Sequence, residues 1–415
     1  MTDFISTGRQ TLHPDEPSAK RRNSKKQLSM FESERLSIHD AKSLSLESLR
    51  EYGERYKHWA VAFSGGKDST ATVTLIAHLI ETGQLRAPSS LHVLFADTRL
   101  ELPPLFNSAM RILERLESRG LAQTRVVLPV LERRFFVFMF GRGVPPSHSG
   151  FRWCTGGLKV DPMNTALKEL RDETGEKFLM ITGVRLGESA QRDARIAVSC
   201  SKDSGECGQG YFQQMTPASV ADVLAPLVHW RTCFVWDWLM GFEGDHAFDC
   251  RDVAAVYGQD DEGSLIERDA RTGCVGCPVA SKDTALETVL RNPTWAFLSP
   301  LKQLRPLYQW LSKPTNRLRR DGATFGPLVM EARMEGLKQV LEIQHQVNAG
   351  ALRDGRPLVS LINDEEQSRI LELIQANTWP DKWTGAETRG DQILPLMPVK
   401  GGGFQHTMIE ALEGP

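Results

Sequence analysis

The chain begins with a long polar stretch and then alternates between short apolar runs and amphipathic segments. Apolar runs at 59–63, 90–98, 123–130 and 177–182 are bounded by polar or glycine-rich turns, which is typical of buried parallel strands. Between them apolar residues recur at helical spacing, for example over 105–119. This alternation predicts an α/β fold with a doubly wound, mostly parallel sheet.

The hydrophobic pattern also divides the chain into four parts. A helix is predicted over Ser43–Tyr56, leading into the first strand. The predicted parts are a disordered basic tail at 1–42, an α/β domain holding the cysteines at 43–285, a helical C-terminal region at 286–380 and a loosely structured tail at 381–415.

Composition narrows the class of protein. The 415 residues are 40% hydrophobic and 25% charged, which is ordinary for a soluble globular chain. A net charge of −2 gives no global attraction to nucleic acid, so any DNA contact must be local. No apolar run approaches the length of a membrane span, so we expect a cytoplasmic protein with no membrane association.

The most informative motif is Ser-Gly-Gly-Lys-Asp-Ser at 64–69, between the first strand and an apolar helix. Gly65 and Gly66 allow the backbone to approach a phosphate, and the free N–H groups of the helix start favour an anion. Lys67 adds positive charge, Ser64 and Ser69 add hydroxyl donors, and Asp68 suits a magnesium-linked role. The motif predicts a phosphate-binding loop, although an ordinary glycine-rich turn is the alternative.

Further polar residues follow the second and fourth strands. Asp97 ends the second strand, where α/β sheets bind ligands, and a helix cap is the alternative. After the fourth strand comes Gly183-Val184-Arg185-Leu186-Gly187-Glu188-Ser189-Ala190-Gln191-Arg192. Its two arginines suit a polyphosphate, with Glu188 holding one of them in place, and surface salt bridges are the alternative.

The cysteines are confined to the middle of the chain. All seven lie between Cys154 and Cys277, and an odd number in a cytosolic setting disfavours disulfides. Cys274 and Cys277 form a CxxC with glycines on either side of Cys274, which suits an iron–sulfur cluster or zinc. The polar, glycine-rich segment 199–210 is predicted to be an active-site loop.

Several of these motifs resemble known families. The 64–69 loop resembles the PP-loop of the N-type ATP pyrophosphatases. The segment 151–162, with Arg152-Trp153-Cys154-Thr155, and the loop 183–192 resemble the PAPS reductase-like family. Gly326–Leu337 resembles a helix of the DNA phosphorothioation sulfurtransferases, the subfamily to which the chain is most similar.

The resemblance implies an adenine nucleotide alpha hydrolase-like fold that binds ATP and Mg²⁺, with a probable [4Fe-4S] cluster. The implied catalytic residues are Lys67, Asp68, Arg185 and Arg192. The implied nucleotide contacts are Ser64, Gly65, Gly66, Lys67, Asp68, Ser69, Asp97, Arg152, Gly183, Arg185 and Glu188. The implied cluster ligands are Cys154, Cys274 and Cys277, with Cys207 as the fourth in preference to Cys200 or Cys250.

Three functions follow from the resemblance. The favoured one is DNA phosphorothioation for restriction or antiphage defence, in which ATP adenylates a DNA phosphate before sulfur arrives from a cysteine desulfurase and other phosphorothioation proteins. The second is a PAPS reductase. Such enzymes usually have a nucleophilic cysteine in a C-terminal Glu-Cys-Gly-x-His motif, whereas here Glu206-Cys207-Gly208 lies in mid-chain and lacks the histidine. The third is a non-catalytic, ATP-sensing subunit of a defence complex.

A further candidate contact with nucleic acid is formed by four basic residues, Lys313, Arg317, Arg319 and Arg320.

Overall fold

The structure is a computed structural model. It describes residues 36–188, 193–194, 196, 205–206, 210–215, 219–241, 248–258, 273–280, 282–320, 325–391, 396–398 and 404–406. Residues Ile38–Pro415 make one compact unit. Three predicted site residues, Arg192, Cys200 and Cys207, lie outside the described residues.

A seven-stranded sheet organises the molecule, in the order β3-β2-β1-β4-β7-β6-β5. The pairs β1–β2, β2–β3, β1–β4 and β4–β7 are parallel, and β5 and β6 add an antiparallel edge. The strands are β1 His58–Phe63, β2 Ser90–Ala96, β3 Gln123–Val127, β4 Phe178–Ile181, β5 Gly205–Glu206, β6 Tyr211–Gln213 and β7 Ala221–Ala225. The mostly parallel α/β sheet is therefore confirmed.

Helices cover both faces of this sheet. Those before residue 260 are α1 Ile38–Gly53, α2 Lys67–Glu81, α3 Pro103–Ser118, α4 Asp161–Thr174, α5 Thr232–Leu239 and α6 Arg251–Val256. Between β3 and α4 the chain forms short helical turns at Leu131–Arg133, Val137–Gly141, Trp153–Thr155 and Gly156–Val160. Helix α2 is buried on most of its surface, because it packs directly behind β1.

The C-terminal region is mainly helical, as predicted. Its helices are α7 Thr284–Val289, a 3₁₀ helix Pro293–Gln303, α8 Leu304–Leu311, a 3₁₀ turn Pro314–Asn316, α9 Met330–Arg353 and α10 Asp364–Gln375. Short strands lie among and after them: β8 Arg317–Arg319, β9 Phe325–Leu328, β10 Thr388–Arg389, β11 Leu396–Pro398 and β12 Phe404–His406. No described helix is long and apolar enough to span a bilayer.

Several boundaries differ from the predicted ones. Helix α1 begins at Ile38, inside the stretch predicted as tail, and β3 ends at Val127 because Pro129 has no N–H for the ladder. The segment that begins at Gly326 is not wholly helical. Its first residues belong to β9, because Pro327 favours an extended backbone at the residue before it. Helix α9 starts only at Met330. The domain boundaries at 42, 285 and 380 stay predictions.

The basic residues expected to form a nucleic-acid patch are partly used inside the fold. Arg317 is buried, its Nε donates to the Gly326 carbonyl at 2.5 Å, and burial lowers its pKa to about 10. Arg320 lies over the Trp383 ring at 4.3 Å and pairs with Glu387 at 3.0 Å. These two guanidinium groups hold the region together instead of forming an open patch.

A buried arginine on α9 joins the C-terminal region to the segment before α4. Arg333 is fully buried, and its guanidinium donates to the carbonyls of Phe140, Gly141 and Thr378. Burial lowers the pKa of Arg333 to about 10. Because its donors satisfy carbonyls from two other segments, Arg333 positions α9 against both.

Replacing Arg333 by methionine should destabilise the protein by about 2–4 kcal/mol, because buried carbonyl groups lose their donors while the aliphatic stem is largely kept. Urea unfolding followed by circular dichroism measures the change. Met334→Ala is the control, since Met334 is 56% exposed on the same helix. Equal unfolding midpoints for Arg333→Met and the parent protein would show that this contact does not hold the region.

Candidate functional site

A cavity of about 350 Å³ lies outside the carboxyl ends of β1 and β4. The strands that follow β1 in sequence, β2 and β3, lie on one side of β1, and β4 lies on its other side. The strand order therefore reverses between β1 and β4, and the cavity occupies this topological switch point of the sheet. Its lining residues come from the ends of β1 and β2, the start of α2, the loop after β4, helix α4 and the residue after α6. They are Ala62, Phe63, Ser64, Gly66, Lys67, Asp68, Ser69, Ala96, Met163, Gly183, Val184, Glu188 and Tyr257.

The loop between β1 and α2 is shaped for an anion. Gly65 has φ of +72°, a conformation that glycine adopts without strain, and Gly66 caps α2 without a side-chain hydrogen bond. The Ser69 hydroxyl donates to the Gly66 carbonyl at 3.0 Å and accepts from the Ser64 amide at 3.2 Å. Ser69 therefore holds the loop in shape, in addition to its predicted contact with phosphate.

Lys67 places a positive charge inside this cavity. Its side chain is only 5% exposed, with Nζ 3.4 Å from Asp68 Oδ2 and 5.1 Å from the centre of the Tyr257 ring. The Lys67 amide donates to the Tyr257 hydroxyl at 3.3 Å. An ammonium group at the start of a helix, within a partly open cavity, is well placed to bind a phosphate.

Arg185 lies beside the loop but does not line the cavity. Its Nε donates to Asp68 Oδ1 at 2.6 Å and Nη1 donates to the Trp230 carbonyl at 3.0 Å. The Asp68 carboxylate is thus held between Lys67 and Arg185, both almost fully buried. Contact of Arg185 with a phosphate stays a prediction.

The loop after β4 approaches the first loop very closely. A Cβ on Gly183 would lie 2.8 Å from the carbonyl carbon and oxygen of Asp68 and 2.9 Å from the Ser69 nitrogen. The two loops therefore pack backbone to backbone, and Glu188 lines the cavity from the same loop. The predicted residues Ser64, Gly66, Lys67, Asp68, Ser69, Gly183 and Glu188 are brought together here.

Asp97 is at the predicted strand end but faces a different space. Its carboxylate accepts from the Arg99 amide at 2.7 Å, and it lines a second cavity described below. Nearby Glu101 accepts from the Thr98 hydroxyl at 2.7 Å and from the Leu100 amide at 3.2 Å. Burial raises the pKa of Glu101 to about 7, although the Thr98 hydrogen bond opposes this shift.

The CxxC turn docks on the loop that follows β2. The Val275 amide donates to the Leu100 carbonyl at 2.7 Å, and Cys274 Sγ lies 3.9 Å from the Thr98 hydroxyl. Burial raises the pKa of the Cys274 thiol to about 11, with nearby Lys159 opposing the shift. The buried Tyr308 hydroxyl has no hydrogen-bond partner among the described residues, and Cys274 and Cys277 lie close enough to raise its pKa further.

The other predicted ligands are less well assembled. Cys154 is half-buried on the turn Trp153–Thr155, and Arg152 before it is exposed and lines neither cavity. Cys250 is buried, and burial raises its pKa to about 12. Within the part of the chain that the structure describes, no three His, Cys, Asp or Glu residues are placed to hold a metal ion. Those residues therefore do not form a complete cluster site.

Sequence reasoning missed three residues that matter to this site. Met163 and Tyr257 line the cavity from α4 and from the residue after α6, and Glu101 lies behind Asp97. Neither Met163 nor Tyr257 belongs to a motif. Glu101 could have been noticed as a carboxylate soon after a strand end, between two leucines that precede α3.

Comparison with protein families identifies the region that carries this cavity. Residues 58–243 match the model of the phosphoadenosine phosphosulfate (PAPS) reductase domain. The matched region is similar to that domain. It contains β1, β2, β4 and both loops of the cavity, whereas the CxxC turn and α7–α10 lie outside the match, which spans less than half of the 415 residues. No curated protein matches the chain.

Solved structures that contain similar folds were also found. A PAPS reductase from Candida auris, in a phosphate complex, is 13% identical over 51% of this chain and 89% of its own, with a TM-score of 0.30. The U34-tRNA thiolase NcsA from Methanococcus maripaludis, with its [4Fe-4S] cluster, is 14% identical over 66% and 79%, with a TM-score of 0.35. The FMN adenylyltransferase of Candida glabrata is 12% identical over 80% and 85%, with a TM-score of 0.31. Similarity at this level carries no information about the reaction of this protein.

Gly183→Ala should weaken binding of a non-hydrolysable ATP analogue at least tenfold, because the added Cβ collides with backbone atoms of Asp68 and Ser69. Isothermal titration calorimetry measures the affinity. Gly156→Ala is the matched control, because a Cβ at Gly156 meets nothing within 4 Å. Unchanged affinity in Gly183→Ala would mean that the packing of the two loops does not shape the binding site.

Proposed function

We propose that this protein is an ATP pyrophosphatase and sulfurtransferase that adenylates a phosphate of the DNA backbone so that sulfur can replace one of its oxygens. The carrying observation is the position of the CxxC turn. Cys274 packs against Thr98, two residues beyond Ala96, which lines the Lys67 cavity. A sulfur-bearing group and a phosphate-binding cavity thus lie at the same end of β2.

The cavity has the charges that a magnesium nucleotide requires. Lys67 supplies a buried cation for the phosphates, and the carboxylates of Asp68 and Glu188 line the same space. Mg²⁺ is usually held by one or two carboxylates together with substrate phosphates, so a larger protein ligand set is not needed. These features support ATP with Mg²⁺ as the bound species.

The proposed reaction has two displacements. A non-bridging oxygen of the DNA phosphate attacks the α-phosphorus of ATP, and the bond to pyrophosphate breaks. A cysteine desulfurase and a partner protein supply sulfur as a persulfide, which a thiol reductant reduces by two electrons to sulfide. The sulfide then attacks the adenylated DNA phosphorus, the bond from that phosphorus to the bridging oxygen breaks, and AMP leaves with this oxygen. In the first displacement Lys67 stabilises the negative charge that develops on the departing pyrophosphate.

An iron–sulfur cluster belongs to this proposal only as an expectation from the resemblance. Cys274 and Cys277 are the two candidate ligands that share a turn, and the preferred fourth ligand, Cys207, lies outside the described residues. We therefore assign no step of the reaction to a cluster. Defence as the biological role and a cytoplasmic location likewise stay predictions.

A PAPS reductase is the second candidate, and the family match over residues 58–243 favours it. Such an enzyme would use the same cavity to hold the phosphates of PAPS and would release sulfite. The two functions differ in substrate and product, so one set of assays separates them.

Purified protein incubated with α-labelled ATP should form AMP and pyrophosphate when single- or double-stranded DNA is added. Lys67→Ala should reduce this rate at least a hundredfold, because it removes the cation that stabilises the leaving group. Lys57→Ala is the control, since Lys57 is 67% exposed and pairs with Glu176 away from the cavity.

Each other result of this assay is informative. Full turnover in Lys67→Ala would contradict the assignment of the phosphate site. ATP that is bound but unchanged, with and without DNA, would indicate an ATP sensor. Sulfite formed from PAPS with a thiol reductant would indicate the reductase.

Iron analysis tests the cluster prediction by itself. Anaerobically purified protein should contain iron and absorb in the thiolate–iron region, and Cys274→Ser should lower both, because it removes a ligand. Cys233→Ser is the control, since Cys233 is exposed on α5. Parent protein without iron would contradict the prediction of a cluster. A spectrum unaffected by Cys274→Ser would show that Cys274 is not a ligand.

A further inference from the structure

We propose that a second cavity, next to the Lys67 cavity, binds one base of the DNA strand that is to be modified. This inference rests on the proposed function and adds the site that recognises the acceptor. The cavity has a volume of about 220 Å³ and lies between the loop after β2, the start of α3, the 3₁₀ helix Pro293–Gln303 and the segment 357–360. We call it the second cavity.

Aromatic rings supply its apolar walls. Phe106 and Trp295 are half-buried, and Phe297 is almost fully buried behind Trp295, with ring centres 6.0 Å apart. Phe106 in turn packs on Phe95 of β2, with ring centres 5.9 Å apart. Rings supported from behind in this way offer a firm stacking surface, and every base has a face that stacks on an aromatic ring.

Polar groups of the second cavity are available to a base edge. Among the described residues, neither the Asn107 amide nor the Trp295 indole N–H has a hydrogen-bond partner. Asp97 and Glu101 add carboxyl oxygens to the lining, those of Glu101 being already acceptors for Thr98 and Leu100. Acceptors of this kind suit the exocyclic amino group of adenine, cytosine or guanine.

The charges disfavour a phosphate inside the second cavity itself. Among the described residues that line the second cavity, Arg99 is the cationic one. Its guanidinium donates to Ser360 Oγ at 3.2 Å and pairs with Glu366 at 3.4 Å. Two carboxyl groups, Asp97 and Glu101, face the same space. A neutral, flat ligand with amino donors therefore fits better than an anion.

Arg99 is also held in an unusual backbone conformation. Its φ is +64°, and its amide donates to the Asp97 carboxylate. A non-glycine residue at positive φ costs free energy that the surrounding contacts must offset, and such residues cluster at ligand sites. The conformation keeps Asp97 and Arg99 fixed at the edge of the second cavity.

The position of the second cavity links it to the phosphate chemistry. Ala96 lines the Lys67 cavity and Asp97 lines the second cavity, and neighbouring Cα atoms are about 3.8 Å apart. A base held on Trp295 would therefore bring its own backbone phosphate toward the Lys67 cavity. The rings of Trp295 and Phe297 come from beyond residue 243, so the part of the chain outside the region similar to the PAPS reductase domain would choose the acceptor.

Binding of labelled, short, single-stranded oligodeoxyadenosine to the full chain tests the inference, measured by fluorescence anisotropy with a non-hydrolysable ATP analogue present. Trp295→Ala should weaken oligonucleotide binding about tenfold, which is within the range for loss of one stacked base. Trp295→Phe should recover most of the affinity, and both variants should bind the ATP analogue as the parent does. Trp310→Ala is the control, since Trp310 lines neither cavity.

Base preference and sugar type sharpen the test. Oligodeoxyadenosine and oligodeoxycytidine should bind more tightly than oligothymidine, and Asn107→Ala should reduce that preference. Equal binding of all three would overturn the recognition of amino groups, and tighter binding of oligoriboadenosine would overturn DNA as the source of the base.

Two further results would overturn the base site. Oligonucleotide binding unaffected by Trp295→Ala would show that no base stacks there. Loss of ATP-analogue affinity in the same variant would place the adenine of ATP in the second cavity instead.

Failure of the inference and failure of the proposed function are separable. DNA-dependent pyrophosphate release together with unchanged DNA binding by Trp295→Ala would remove the base site and keep the reaction. Binding through Trp295 without any pyrophosphate release would keep the base site and remove the reaction.

Discussion

The ion pair between Asp68 and Arg185 is the contact on which the site depends. Asp68 lies in the first turn of α2, just after β1, and Arg185 follows β4, so the pair links the ends of the two strands on either side of the switch point. Arg185 also donates to the Trp230 carbonyl, which fixes a third segment. A buried ion pair is rarely a large source of stability, because both groups lose their hydration, so the arrangement is better understood as one that fixes geometry.

That geometry has consequences for Lys67. With Asp68 turned toward Arg185, the Lys67 ammonium stays in the cavity between the carboxylate and the Tyr257 ring. The close approach of Gly183 to the Asp68 backbone keeps the two loops at a distance that no other residue would permit. A preformed cationic site of this kind needs little rearrangement when a phosphate binds.

The C-terminal helices complete the molecule around the same end of the sheet. Arg333 ties α9 to the segment before α4, and Arg99 ties the loop after β2 to the start of α10 through Glu366. The CxxC turn contacts the same loop after β2, and Arg99 itself lines the second cavity. Residues of the helical region therefore line the second cavity in addition to packing against the rest of the protein.

The sequence alone determined the parallel sheet, the glycine-rich turn and helix start at 64–69 and the position of a second loop after β4. These features depend on local patterns, because strand burial, glycine turns and helix starts are set by neighbours along the chain. Only the tertiary structure decided that Arg185 binds Asp68, that Asp97 faces a second cavity, that Arg317 is buried and that Tyr257 supports Lys67. Those outcomes depend on which distant segments meet at the carboxyl ends of the strands, and no local pattern carries that information.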